Sequence, residues 1–194
     1  MGYEAIVAGP VYLYRGAVGL AQPNLNSTPA SGWSLIGEGA WDEEGILATF
    51  NQAFEVKRTN NETLPIAAFR LTEDILLSGS MMNMALESVA HAINNNDVSV
   101  TAKTSSADGY KSMSLRRGLQ VEEMALLLRG NYSAYDANPG VNKWNTQLYI
   151  PRCYESGSTS FANSKVGGML PLEFTALAHA SKDPEMRIAN AEAG

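Results

Sequence analysis

One cysteine, two histidines and 14 basic residues leave this 194-residue chain poorly equipped for several kinds of chemistry. Cys153, standing alone, cannot close an internal disulfide or build a Cys-rich zinc site, and reads as an ordinary strand residue. His91 and His179 are too few for a His-rich metal centre and limit proton transfer near neutral pH. Against the 14 basic residues stand 20 acidic ones, giving a net charge of −6. Arg116 and Arg117 stand together, but no run of more than two cations occurs, so the longer clusters that grip phosphate are missing. Charged residues make up 18% of the chain, below the typical value of about 25%, so much of the surface is uncharged Asn, Ser, Thr and Gly. The apolar stretch Met124 to Leu128 is far shorter than a membrane span. Met1-Gly2-Tyr3-Glu4 lacks the positive start of a secretory signal, which sets the expectation of a soluble chain that is not exported.

Reactive motifs are equally scarce. Ser78-Gly79-Ser80 and Gly157-Ser158-Thr159 lack the spacing of a nucleophile elbow. Gly37-Glu38-Gly39 opens like a dinucleotide fingerprint, but Asp42 stands where the third glycine belongs and acidic residues follow, so it reads as a turn. A phosphate-cradling glycine-lysine loop is missing as well. Glu122-Glu123 and Glu73-Asp74 are adjacent carboxylates, which a strand points to opposite faces, so neither pair can act as a joint acid and base. The sequons at Asn26, Asn61 and Asn131 are chance matches in a chain without an export signal. No cofactor and no metal is expected.

What the chain does have is alternation. Val11 to Arg15, Ser34 to Gly39, Ile46 to Thr59, Phe69 to Met81, Trp144 to Ile150 and Leu170 to Ala176 read as strands of period two. In the third of these, Phe50, Phe54 and Val56 share one parity; in the fourth, Phe69, Leu71, Ile75, Leu77 and Met81 do. Such half-apolar strands belong to antiparallel sheet with one solvated face. Ser112 to Arg116 and Leu119 to Arg129 read as a pair flanking Gly118. Leu86, Val89, Ala90 and Ile93 fall at helical spacing, predicting one helix over Met84–Asn94 that stops at the Asn-rich run after Ile93. The whole of 1–194 then forms a single, mostly β domain: an antiparallel sandwich or barrel of seven or eight strands with a flanking helix. Two long loops, 20–33 and 131–143, join its strands.

The order of these elements carries a resemblance. Val11-Tyr12-Leu13-Tyr14, a Pro-containing loop, Gly32-Trp33-Ser34-Leu35-Ile36-Gly37, an acidic glycine turn and two alternating strands come first. Thr72-Glu73-Asp74-Ile75-Leu76-Leu77-Ser78-Gly79-Ser80 then runs into the helix, and Leu170-Pro171-Leu172-Glu173-Phe174-Thr175-Ala176-Leu177 closes the pattern. Over nearly its whole length the chain resembles the tail tube (major tail) proteins of long, non-contractile-tailed bacteriophages. That resemblance implies a non-enzymatic virion protein, made in the bacterial host cytoplasm. It implies stacking as homo-hexameric rings into a hollow tube that conducts double-stranded DNA without gripping it. The implied partners are further copies of the chain and the tail terminator, distal tail and tape measure proteins. An acidic wall suits such a conduit because it repels phosphate, and Glu55, Asp74, Glu122 and Glu173 are candidates to line it. Asn24, Asn26, Trp33, Tyr132 and Tyr135, on the two long loops, are candidate ring-to-ring contacts. A tail terminator or capsid decoration protein of related fold is the alternative reading. A carbohydrate-binding or hydrolytic module using Trp33, Trp41 or Trp144 stands further off.

Overall fold

The structure is a computed structural model that describes residues 11–25, 27–37, 41–58, 64–82, 85–93, 98–105, 107–115, 119, 121–130, 146–158 and 169–188. Among them are ten strands: β1 (Val11–Gly16), β2 (Ser34–Leu35), β3 (Trp41–Lys57), β4 (Ala67–Met81), β5 (Val98–Thr101), β6 (Tyr110–Met113), β7 (Glu123–Gly130), β8 (Thr146–Glu155), β9 (Leu170–Ala176) and β10 (Glu185–Ile188). The helix α1 spans Leu86–Ala92. The fold is mostly β, with one large antiparallel sheet and a flanking helix, as the alternation predicts.

The large sheet runs in the order β2-β1-β7-β8-β9-β4-β3, with β10 joining β8 beside β9, and β5-β6 form a separate pair. Although β1 and β3 lie near opposite ends of this order, a side chain carbon placed on Gly45 would stand 3.8 Å from Val11 Cγ2. The sheet therefore curls on itself. Inside the curl, Leu13, Leu77, Met124, Leu126, Ile150, Leu172 and Phe174 join Met81 and Ala92 in one buried cluster. Each such large side chain contributes about 1.5–3 kcal/mol by leaving water. Cys153 is fully buried in this cluster and donates to Met124 O at 3.3 Å. Burial pushes its thiol pKa well up, which fits the plain strand role read from sequence.

Several expectations need correction. β3 starts at Trp41, because the acidic residues read as a turn form an irregularity inside it: Trp41 faces Met81 but Ile46 faces Gly79. Gly45 adopts φ +68° there, which favours glycine. The pair expected to flank Gly118 does not form: β6 pairs with β5, and β7 lies between β1 and β8. A short two-stranded unit beside the helix and a central strand have incompatible neighbours, and adjacency in sequence did not decide between them. β8 continues past Ile150 to Glu155, and a shift in its pairing brackets Pro151, where the missing N–H costs no ladder bond. β10 lacks enough apolar residues to announce itself. The helix is shorter than 84–94, and residues 84 and 94 lie outside the described ones.

The largest departure concerns β3 and β4. Their ladder runs from Trp41 opposite Met81 to Lys57 opposite Ala67, but β9 covers only Leu76–Met81 of β4. The remainder projects as a two-stranded arm. The row Phe50, Phe54 and Val56 shares one face as read from sequence, but the row expected from Phe69 to Met81 is broken, and Phe50, Phe54, Val56, Phe69 and Leu71 are all exposed. One register shift makes the break. Ala53 faces Thr72 and Phe54 faces Arg70, so Leu71 is an extra residue in β4. Phe69 consequently sits opposite Glu55, on the other face from Ile75.

Candidate functional site

The acidic candidates divide by sheet face. In β9 the inward residues are Leu170, Leu172 and Phe174, so Pro171, Glu173 and Thr175 point outward. Ser78 and Ser80 of β4 face Glu173 and Pro171, and Leu47 of β3 faces Ser78. Asp74, of the same parity as Ser78, and Glu55, of the same parity as Leu47, belong to this outer face. Three of the four predicted acids thus share one surface, and all three are exposed. Glu122 does not join them. It precedes β7 and interacts with Arg15, which follows Leu13 on the inward side of β1. Its neighbour Glu123 makes a two-pronged pair with Arg152, at 2.7 and 2.8 Å. That hydrogen bonding holds the Glu123 carboxyl below its usual pKa. Glu122, outside the strand, and Glu123, the first residue of β7, thus have separate partners.

Between β3, β4 and β9 the outer face opens into a polar cleft of about 300 Å³ lined by Asp42, Ser78, Ser80, Ser158 and Glu173. Behind it lies Glu155, which sequence reasoning did not single out. Its Oε1 accepts from Gly157 N at 3.0 Å and Glu173 N at 3.5 Å, and the residue is buried. Burial raises its pKa to about 7; the two backbone donors pull it down and the Glu173 charge pushes it up. Ser156 fixes the same turn to β9, with its N–H donating to Glu173 O at 2.7 Å and its hydroxyl 2.8 Å from Thr175 Oγ1.

The first long loop lies down as a strap over the other side of β7 and β8, where Ala125, Leu127 and Tyr149 form a second apolar cluster with Tyr14 and Trp33. Arg129 and Gln147 are fully buried beneath it. Arg129 donates to Ser27 O at 2.5 Å, to Asn24 O at 2.9 Å and to Gln147 Oε1 at 2.8 Å. Gln147 donates to Pro23 O at 3.0 Å, and Tyr149 Oη to Leu20 O at 2.7 Å. These clamp residues were missed in the sequence, although a charge closing the apolar run Met124–Leu128 was the available signal. Asn24 offers its exposed side chain outward while its carbonyl serves the clamp. Trp33 packs edge-on against Tyr149, 6.2 Å between ring centres, and its indole N–H donates to Ala21 O. Asn26, Tyr132 and Tyr135, the whole of loop 131–143 and Trp144 lie outside the described residues.

For reaction chemistry the described residues offer little. His91 is largely buried on α1, and that burial, with Arg15 nearby, lowers its pKa to about 4, so it is neutral at pH 7. His179 packs against Gly19 and accepts from Ser181 N at 3.3 Å. Trp41 packs, half-buried, against the main core. Among the described residues, no three His, Cys, Asp or Glu are spaced to hold a metal ion, and no helix is long and apolar enough to cross a membrane. No protein-family profile matches this chain, and no curated protein sequence is significantly similar to it.

Proposed function

We propose that this chain is a structural subunit that completes its sheet with copies of itself, as the tail tube subunit of a long, non-contractile-tailed bacteriophage. The observation that carries the reading is the outer margin of β3. The seventeen-residue strand Trp41–Lys57 pairs with β4 at Trp41 and from Ile46 to Lys57, and with no described strand on its other side. Such a margin is an association liability in a free monomer and an assembly device in a polymer. The chain order of the strands, on which the resemblance rests, supports the same reading. So does the grouping of Glu55, Asp74 and Glu173 on one face, since a wall of that sign lets a phosphate backbone slide past. Closing a ring requires a heterologous contact repeated about an axis, and stacking repeats the logic along it. Electron microscopy of the purified chain at high concentration tests the proposal. Hollow tubes of constant width are expected; single compact particles at every concentration and salt would overturn it.

A further inference from the structure

The arm formed by the outer halves of β3 and β4 bears two unlike faces. On one, Phe50, Phe54 and Val56 share a row with Gln52 between the first two, and 52%, 56% and 48% of their surface is exposed. The charges beside them, Arg70 and Glu73, neutralise each other in an ion pair of 2.7 Å, and the Arg70 guanidinium lies over the Phe54 ring at 5.9 Å. The opposite face carries Glu55, Lys57 and Asp74, with Phe69 beneath the Lys57 ammonium. Towards its root, the apolar row runs on through Ala48 and Ile46 into an apolar groove of about 150 Å³ at the seam of the curled sheet, rimmed by Leu128, Leu148 and Met186.

The geometry points to the Phe50–Phe54–Val56 row as a docking surface for a second copy of this chain; this rests on the self-assembly reading above and names the contact. Two arguments select that occupant. With Ile66, of the same parity as Ala68 opposite Val56, and the rim residue Met186, both more than half exposed, the row offers five side chains of roughly 100 Å² each, about 500 Å², close to the per-partner share of the smallest stable interfaces. Charge gives the second. The molecule as a whole carries −6, so most of its surfaces repel one another, but this row is nearly uncharged and lets two copies approach. An open backbone edge along the same strand adds hydrogen bonds to the apolar contact.

The test compares three proteins by sedimentation: the native chain, F54D/V56D and F69S. All three substitutions fall on exposed positions, and circular dichroism with a monomer peak on gel filtration confirms folding. The expected result is polymer from the native chain and from F69S, and a loss of at least tenfold in sedimenting material from F54D/V56D. Polymer from F54D/V56D at the native yield overturns the docking row but leaves self-assembly standing. Equal losses in F54D/V56D and F69S overturn the choice of face. A native chain that never sediments overturns the row and the assembly reading together.

Discussion

At the scale of single residues, the informative side chains are buried polar ones. Glu155 has a folded-state pKa of about 7, above the ordinary 4.5, because burial disfavours its charge. A group whose pKa rises on folding supports the fold most fully below its unfolded pKa, and that support drains away as pH climbs to the folded value. Stability should therefore fall between about pH 4.5 and pH 7 by at most roughly 3 kcal/mol from this carboxyl. Glu155→Gln, which stays neutral and keeps an acceptor, should flatten that part of the profile in urea unfolding series. A slope unchanged in the variant would assign it to other groups. Arg129 is the second case. Arg129→Ala leaves the carbonyls of Asn24 and Ser27 and the Gln147 amide oxygen without their charged donor. The expected cost is about 3 kcal/mol in denaturant unfolding, with protease cleavage appearing first inside the strap. A cost under about 1 kcal/mol would mean that the apolar contacts of Trp33 hold the strap by themselves.

At the scale of elements, β3 and β4 separate what alternation reveals from what it hides. Period two made both strands legible, because each has residues of two kinds on two faces. It says that a face is apolar, not what covers it, and here much of that face has no cover within the described chain. The extra residue Leu71 was invisible too, since a bulge shifts the register without changing the composition. β7 was legible as an apolar stretch and β8, as far as Ile150, by its alternation, but the strap that buries their second face is a Pro- and Asn-rich loop with no periodic signal. Three of the four acidic candidates fell on one face because outward parity in β3, β4 and β9 could be read, whereas Glu122 sits before its strand begins. The arm itself yields a prediction. Replacing residues 53–72 by Asn-Gly, a turn suited to joining Gln52 to Glu73, should leave thermal stability within about 1 kcal/mol of the native chain, because the arm adds nothing to the core. The same variant should form no polymer. Global unfolding of that variant would show that the arm serves folding rather than association.

At the scale of the whole molecule, the proposed function pairs an acidic chain, an open sheet margin and an apolar row with copies of itself rather than with a small ligand. The outer face bearing Glu55, Asp74 and Glu173 should show no retention of duplex DNA at about 0.15 M salt, where charges are screened beyond roughly 8 Å. Asp74→Lys with Glu173→Lys should create measurable, salt-sensitive retention in a fluorescence anisotropy titration. No change on reversing both charges would argue that this surface does not meet nucleic acid. Under the proposed function, the edge of β3 finds its missing hydrogen bonds in another copy. Hydrogen exchange of the β3 amides, read in dilute and in concentrated native protein, tests this most directly. Exchange across 46–57 should slow at least tenfold on concentration while the Leu126 and Ile150 amides stay as protected as before. Identical β3 exchange at both concentrations would contradict it.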